Sequence, residues 1–425
     1  MVAILCFVFL ITLIVGAPIA IVIGVSSLAV VLVQGIIPLN AIPQYMFGGL
    51  DSFSLLAIPF FILAGELMGQ SGISKKLINF CMALVGKIPG ALAHVNIIAS
   101  IFFSGITGAA VADTAALGAL LIPSMVDEGY TPEYSAAITA ISSCIDPIIP
   151  PSIIVVVYGI AANVSIGKLL IAGYIPGLLL ALSQGILASI QAKKYHFPVN
   201  EEPFSWPKLG EAFIEALPAL VMPLIIIGGI LGGVVTPTEA ASVAVLYSFI
   251  YGFANKSIRL KDLSGIFSRA GVTVGVVMLV MSTAKLFSMI LVMNNIPDMI
   301  TNAFLSVSNN KYIVLFMINI LLLIVGCFME ISAACIILAP ILVPVVVKLG
   351  VDPVQFGMIM CVNLAIGLAT PPVGPTLYVA CRIAKISLEQ ITKAILPYII
   401  ASVCALLVIT YIPQVSLFLP NLLIK

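Results

Sequence analysis

The chain has 425 residues, of which 62% are apolar and only 8% are charged, and its formal net charge is +1. Soluble domains contain about 45–50% apolar and roughly 25% charged residues, so a soluble core could not hide this much apolar surface. The balanced charge gives no indication of a nucleic-acid partner. Composition therefore predicts an all-α integral membrane protein whose solvent is largely the lipid bilayer.

The first predicted element is the apolar stretch 2–33, and the first basic residue of the chain is Lys75. A secretory signal needs a positive segment before its apolar stretch, so we interpret 2–33 as a retained membrane segment, long or bent. Further candidate spans are predicted near 53–70, 91–103, 135–160, 167–190, 212–235, 238–254, 271–293, 313–328, 357–381 and 394–419. This gives about 11 transmembrane helices.

Two apolar stretches, 113–126 and 331–347, are short and flanked by Gly, Ser and Pro, which favours two re-entrant helical hairpins. The longest polar interval, 191–209, divides the chain into nearly equal parts. We predict a first repeat at 1–190, a polar connector at 191–211 and a second repeat at 212–425.

The two halves carry helix-breaking residues at one fixed offset of 221 positions. The matched pairs are Gly105 and Gly326, Pro123 and Pro344, Gly129 and Gly350, Pro132 and Pro353, Pro150-Pro151 and Pro371-Pro372, and Pro176 and Pro397. Membrane proteins are in general rich in Gly and Pro, which is the alternative explanation. A shared pattern that includes a double proline favours an internal repeat, which is typical of secondary transporters.

Two proline-rich stretches, 142–152 and 363–375, cannot form continuous helices because proline lacks the amide proton that the helix needs. Broken backbone at membrane depth is tolerated where it lines a cavity or binds something. Free carbonyls and hydroxyls suit a hard cation such as sodium, and half-helix N-termini suit an anionic group.

Each break is preceded by a candidate hairpin tip, at 103–108 and 326–332. We predict that each tip faces the break of its own half and builds an oxygen-rich ion site, with the substrate between the two sites. Asp113, Asp146 and Glu330 are ionisable residues inside apolar runs, which often makes them functional. The alternative roles are a helix-end residue for Asp146 and structural hydrogen-bond partners for the others. Arg382 is a candidate to neutralise an anionic substrate, or else it reaches to the lipid headgroups.

Several catalytic chemistries are excluded by missing motifs. The chain has no GxxxxGK[ST] loop for ATP, no HExxH zinc motif and no GxSxG serine elbow. We therefore predict that it is not an enzyme and needs no cofactor beyond a coupling ion.

Five segments carry a family resemblance: IPFFILAG at 58–65, PPS at 150–152, SIGKL at 165–169, GGVVTPTEA at 232–240 and ATPPVG at 369–374. With them the chain resembles the large membrane subunit (DctM-like) of tripartite ATP-independent periplasmic (TRAP) transporters, and it is most similar to the sialic-acid type. The resemblance implies an elevator-type transporter of the bacterial inner membrane, with two inverted repeats and sodium as the coupling ion. It also implies a separate small four-helix membrane subunit, a periplasmic substrate-binding protein and an organic acid as substrate, sialic acid or a C4-dicarboxylate.

The breaks, the tips and the resemblance together give three sets of candidate residues. The first predicted sodium site comprises Ser104, Gly105, Thr107, Ser142, Ser143 and Asp146. The second comprises Gly326, Glu330, Ser332, Asn363, Gly367 and Thr370. The predicted substrate site comprises Asp113, Pro150, Pro151, Pro371, Pro372 and Arg382. Many members of the family carry Asp where this chain has Glu330.

The sequence thus predicts a sodium-coupled secondary transporter subunit for a small organic anion. A stand-alone symporter of related architecture remains the alternative, and a non-transporting membrane scaffold is a more distant one.

Overall fold

The computed structural model describes residues 2–35, 37–106, 108–197, 199 and 204–424, and the architecture below is that of these residues. They form α-helices joined by short turns. The helices are α1 (Val2–Ile14), α2 (Ile19–Gln34), α3 (Ala41–Gly48), α4 (Ala57–Gln70), α5 (Ile73–Val85), α6 (Ala91–Phe103), α7 (Ala110–Asp127), α8 (Pro132–Ser142), α9 (Ile153–Ala161), α10 (Ile166–Ala172), α11 (Tyr174–Lys194), α12 (Trp206–Leu231), α13 (Pro237–Ala254), α14 (Leu260–Met293), α15 (Ile296–Val307), α16 (Lys311–Phe328), α17 (Ile331–Lys348), α18 (Pro353–Gly367), α19 (Pro375–Ala384), α20 (Leu388–Tyr411) and α21 (Pro413–Leu423). Short 3₁₀ turns precede α4 (Phe53–Leu56) and follow α8 (Ser143–Ile145).

Eight helical segments of the described chain are long and apolar enough to cross a membrane. They are Phe53–Gln70, Ala110–Asp127, Ile166–Lys194, Trp206–Leu231, Leu260–Met293, Lys311–Phe328, Ile331–Lys348 and Leu388–Tyr411. The structure confirms the prediction of an all-α membrane protein.

The prediction of a single segment at 2–33 is wrong. Pro18 lacks the backbone amide proton that a continuous helix needs, and Gly16 adopts a positive φ of 83°. The chain therefore reverses near these residues and forms two short helices, α1 and α2, that pack against each other. The spans at 135–160 and 357–381 are each divided by a break. The sequence did not predict the short helices α3, α5 and α15.

The helices that position the candidate site fall into two groups: a scaffold bundle, and the hairpins and broken helices of the two repeats. Helices α2, α4, α5, α12, α13 and α14 pack on one another and are called here the scaffold bundle. Helices α6 and α7 form hairpin 1, and α16 and α17 form hairpin 2. Helices α8 and α9 form broken helix 1, with its break at 143–152, and α18 and α19 form broken helix 2, with its break at 368–374.

The internal repeat is visible in the helix boundaries. Helix α7 (Ala110–Asp127) and helix α17 (Ile331–Lys348) both have 18 residues and are shifted by 221 positions, and α8 and α18 both begin at the matched prolines. The two broken helices run in opposite directions: the Tyr158 hydroxyl near the end of α9 donates to the Pro353 carbonyl at the start of α18 (2.7 Å), and α19 packs against α8. Antiparallel broken helices are the relationship expected of inverted repeats.

Candidate functional site: two helix breaks and their hairpin tips

The first break is closed by side chains that replace helical hydrogen bonds. Helix α8 ends at Ser142, and α9 begins after Ser152. The Ser152 hydroxyl donates to the Pro147 carbonyl and accepts from the Val155 amide (3.2 Å), so one residue satisfies both ends of the gap. The whole break is buried. The predicted interruption is confirmed.

The second break has a similar local design. Helix α18 ends at Gly367, and the Thr370 hydroxyl donates to the Ile366 carbonyl (2.8 Å). The Thr376 hydroxyl bridges the break by donating to the Leu368 carbonyl (2.9 Å). This interruption is confirmed too, but Pro372 is exposed, whereas Pro150 and Pro151 are buried.

The two breaks lie against each other. The turn Ser143–Ile145 of the first break packs against α18, and the Cys144 thiol contacts the backbone of Ala369 in the second break. Interrupted backbone from both repeats is therefore brought together in one region, as a shared binding site requires.

The tip of hairpin 1 lies between the first break and the scaffold bundle. The Ser104 hydroxyl donates to the Ile101 carbonyl (2.6 Å), which satisfies the end of α6. A Cβ atom on Gly108 would lie 3.5 Å from the Pro151 carbonyl oxygen, and one on Gly105 would overlap Cγ of Pro223 on α12. A cavity of about 10 Å³ lies at this tip, close to the minimum for one water molecule. Thr107, the remaining candidate at this tip, lies outside the described residues.

The tip of hairpin 2 contacts the second break directly. A Cβ atom on Gly367 would lie 2.5 Å from Cα of Gly326, so α16 and α18 approach at backbone contact. Glu330 caps α17: its carboxylate accepts from the Ala333 amide (2.9 Å) and from the Ser332 hydroxyl (3.0 Å). Its side chain is exposed, so in this conformation Glu330 orders the tip.

A buried polar network, network 1, links hairpin 1 to α8. Asn96 donates to the Thr139 hydroxyl (2.6 Å), and the Ser142 hydroxyl donates to Oδ1 of Asn96 (3.1 Å). The Ser100 hydroxyl lies 3.3 Å from the Ser142 hydroxyl and donates to Oδ2 of Asp113 (2.9 Å). Oδ1 of Asp113 is buried and has no hydrogen-bond partner among the described residues. Ser100, Ser142 and Asp113 are all fully buried.

Network 2 is the counterpart in the second repeat. Asn363 donates to Oδ1 of Asn319 on α16 (2.9 Å) and to the Ile359 carbonyl (2.7 Å). Asn319 donates in turn to the Thr410 hydroxyl on α20 (3.0 Å). Oδ1 of Asn363 is buried and without a hydrogen-bond partner in the described part of the chain.

Asn363 stands at the position of Ser142, 221 residues on. Each network thus joins a hairpin amide to the helix that precedes a break, and each ends on one buried oxygen that has no hydrogen-bond donor among the described residues. Such an oxygen is costly in a low-dielectric interior unless a cation or donor reaches it. The two networks therefore mark places where a bound cation would be stabilised.

The remaining candidates are placed as follows. Ser143 and Asp146 lie in the first break and are fully buried. Arg382 is exposed in the last turn of α19, seven residues and about 10 Å along the helix from Pro375. The sequence analysis missed Asn96, Ser100, Thr139, Asn319 and Thr410, although polar residues inside apolar runs were a usable signal.

The paired hairpins, the antiparallel broken helices and the buried oxygens are an architecture expected of a membrane transporter. The comparison with protein families agrees, since the model of the "Tripartite ATP-independent periplasmic transporter, DctM component" matches residues 6–415. The chain belongs to this family of membrane transporter components.

Three relatives span the chain almost completely. An uncharacterised protein of Salmonella typhimurium, YgiK, is 43% identical over 97% of this chain and 96% of its own length. The isethionate TRAP transporter permease protein DctMQ of Oleidesulfovibrio alaskensis is 42% identical over 96% of this chain and 65% of its own length. The sialic acid TRAP transporter large permease protein SiaM of Vibrio cholerae is 39% identical over 96% and 95%.

A solved structure shares the fold. The YdaH transporter of Alcanivorax borkumensis superposes with a TM-score of 0.61 over 88% of this chain and 86% of its own, at 15% sequence identity. At that identity the likeness shows the fold alone.

Proposed function

We propose that this chain is the sodium-coupled permease subunit that carries a small organic anion across the bacterial inner membrane. The observation that carries the proposal is that both polar networks end beside a helix break on a buried side-chain oxygen, one of Asp113 and one of Asn363, that has no hydrogen-bond partner in the part of the chain that the structure describes. Oxygen atoms at unwound helices are the usual ligands of coupling sodium ions in secondary transporters.

The ions are assigned to the two tip-and-break regions. Ser104, Gly105, Ser142, Ser143 and Asp146 surround the first, and Thr107 completes the predicted set. For the second, the predicted set is Gly326, Glu330, Ser332, Asn363, Gly367 and Thr370. Sodium bound there orders both hairpin tips, and the ordered tips complete the substrate site, so that ion and substrate move together in an elevator cycle.

The substrate class follows from charge and from the relatives. Helices α9 and α19 begin at the two breaks, so the positive ends of their dipoles are available to an anionic group. The relatives' printed substrates are isethionate, sialic acid and C4-dicarboxylate, which are all organic anions. We place the substrate against Pro150, Pro151, Pro371 and Pro372, with Arg382 as a further predicted contact. Asp113, which the sequence predicted as a substrate contact, is assigned to the first ion site instead, because network 1 ends on its carboxylate.

The partners are proposed from the family, whose description names a tripartite transporter. A periplasmic substrate-binding protein delivers the anion, and a small four-helix membrane subunit, as a separate chain, completes the membrane part. Neither a nucleic acid nor a cofactor other than sodium takes part.

Reconstitution into liposomes tests this function. The chain is incorporated with and without its candidate partners, and uptake of isethionate, sialic acid and succinate is measured with a sodium gradient or an equal potassium gradient. Uptake that needs both sodium and the binding protein is the expected result. Sodium-driven uptake by the chain alone would indicate the stand-alone symporter. No uptake of any anion, together with no sodium-dependent protection of the hairpins, would indicate the scaffold.

A further inference from the structure

The hydrogen bonds of network 2 have a fixed donor-to-acceptor order, and this order is set at Thr410 on α20, outside the second break. The Thr410 hydroxyl carries one proton, and it donates this proton to the Leu406 carbonyl one turn earlier in α20 (2.8 Å). Towards Asn319 the Thr410 oxygen is therefore an acceptor only. Asn319 must turn its NH₂ group towards Thr410, which leaves its Oδ1 facing Asn363.

The same logic continues to the break. Asn363 faces two acceptors, Oδ1 of Asn319 and the Ile359 carbonyl, so both must receive protons of its NH₂ group. The side-chain carbonyl oxygen of Asn363 is thereby fixed in direction and left without a partner among the described residues. An amide can rotate by half a turn and exchange oxygen for NH₂, and only its hydrogen-bond partners decide which end faces a given point.

We propose that Thr410 and Asn319 are positioning residues of the second sodium site: their directed hydrogen bonds make Asn363 present its carbonyl oxygen, not its NH₂ group, to the ion. This inference rests on the proposed function, because it assigns a role to residues behind a proposed sodium ligand. We call the hydrogen-bonded side chains of Thr410, Asn319 and Asn363 the relay. All three are at most 2% exposed, so water cannot readily replace a missing partner in it.

The relay also joins three helices of the second repeat. Asn319 lies on α16 of hairpin 2, Asn363 on α18 before the break, and Thr410 on α20. Sodium affinity is therefore coupled to the packing of α20, an element that contributes no residue to the predicted site. A buried network of this kind stabilises the protein by more than the sum of its separate hydrogen bonds only while each polar group in it has a partner, and sodium would be the partner of the Asn363 oxygen.

The test is the sodium dependence of thermal stability. The purified full chain is melted in increasing NaCl, with KCl keeping the ionic strength constant, and an apparent sodium dissociation constant is fitted to the rise in melting temperature. Thr410→Val keeps the shape of the side chain and removes the acceptor. We expect a rise of about threefold to tenfold in the dissociation constant, the equivalent of one hydrogen bond.

Two further variants distinguish the effect of hydrogen-bond direction from the effect of packing between α18 and α20. Thr410→Ser keeps the hydroxyl and should restore the wild-type dissociation constant. The matched control is Gln355→Met, because Gln355 lies on the same α18–α20 interface and donates to the backbone carbonyl of Thr410 (3.0 Å) without joining the relay. It should lower the melting temperature and leave the dissociation constant unchanged.

The outcomes distinguish this inference from the function on which it rests. Wild-type protein that sodium does not stabilise more than potassium would overturn the proposed function. Wild-type protein that sodium stabilises, with an unchanged dissociation constant in Thr410→Val, would overturn the relay alone. An equal rise in Gln355→Met would also overturn it, because general packing would then suffice. Asn319→Leu, which is close to isosteric, replaces Thr410→Val if that variant does not fold, and the same rise is expected.

Discussion

Gly105 and Gly326 occupy the same position in the two repeats, but their neighbours differ. Gly105 at the tip of hairpin 1 abuts Pro223 of the scaffold bundle, whereas Gly326 in hairpin 2 abuts Gly367 of its own repeat. The repeat counterpart of Gly367 is Asp146, whose side chain leaves no room for such an approach. The tip glycine of hairpin 1 thus contacts the scaffold bundle and that of hairpin 2 contacts the broken helix of its own repeat, so the two tips need not move alike.

The starts of α7 and α17, which are equivalent in the two repeats, differ in their N-cap residues. The N-cap residue of α7 is Ala109, which makes no side-chain cap, while the N-cap of α17 is Glu330, which does. The first tip and the first break are buried, while the second break is partly exposed. The start of α17 is therefore ordered by a side-chain cap of its own, which the start of α7 lacks.

The polar networks differ in charge. Network 1 ends on a carboxylate, Asp113, and network 2 ends on a neutral amide, Asn363. A carboxylate oxygen attracts a cation more strongly than an amide oxygen at the same distance, because its formal charge is larger. Sodium binding at the first site should therefore depend on charge, and sodium binding at the second site on geometry.

The largest effect is expected from removing that charge. Asp113→Asn keeps the shape of the side chain and makes network 1 resemble network 2, and we expect sodium-dependent uptake to fall about a hundredfold, or about 2.7 kcal/mol. Uptake of labelled anion into liposomes measures it. Asp127→Asn, on the same helix but exposed, is the matched control and should change little. Equal activity in both variants would refute the difference in charge between the networks.

A smaller effect is expected where the backbones touch. Gly367→Ala places a methyl group 2.5 Å from Cα of Gly326, so α16 and α18 must separate, at a cost of about 1–3 kcal/mol. The loss is measured as a lower melting temperature, with faster hydrogen exchange confined to hairpin 2. Gly271→Ala on α14 meets open space and should be neutral or stabilising. If both alanines behave alike, backbone contact does not hold hairpin 2.

The smallest effect is expected at the caps. Glu330→Ala makes the start of α17 resemble that of α7 and should cost about 1 kcal/mol, seen as faster exchange of the Ala333 amide. Glu330→Asp should keep the cap.

Both Glu330→Ala and Ser104→Ala should weaken sodium-dependent uptake with membrane expression intact. Unchanged sodium dependence in both alanine variants would reject the assignment of the tips to the ion sites.

Part of this architecture was predictable because its cause is local. The double prolines at 150–151 and 371–372 remove backbone donors wherever they occur, so both breaks could be located from the sequence. The offset of 221 residues also predicted the matched boundaries of α7 and α17. The reversal near Pro18 had an equally local cause in Gly16 and Pro18, and it was missed because the apolar run around it is continuous.

The polar networks were not predictable in the same way. Asn96, Asn319 and Thr410 stand singly in apolar runs, where each is as compatible with a helix-packing contact as with a site. Their partners are 43, 44 and 91 residues away in the chain, and no spacing rule connects them.

Sequence by itself determined that the chain is a membrane protein, that its helices break twice, and that the breaks belong to a repeat. These properties follow from hydrophobicity and from proline chemistry, which act within a few residues. Only the tertiary structure decided which oxygen atoms remain unsatisfied and which tip touches the scaffold bundle. Those properties depend on hydrogen-bond directions and backbone distances between remote segments, and these distances exist only once the helices have packed.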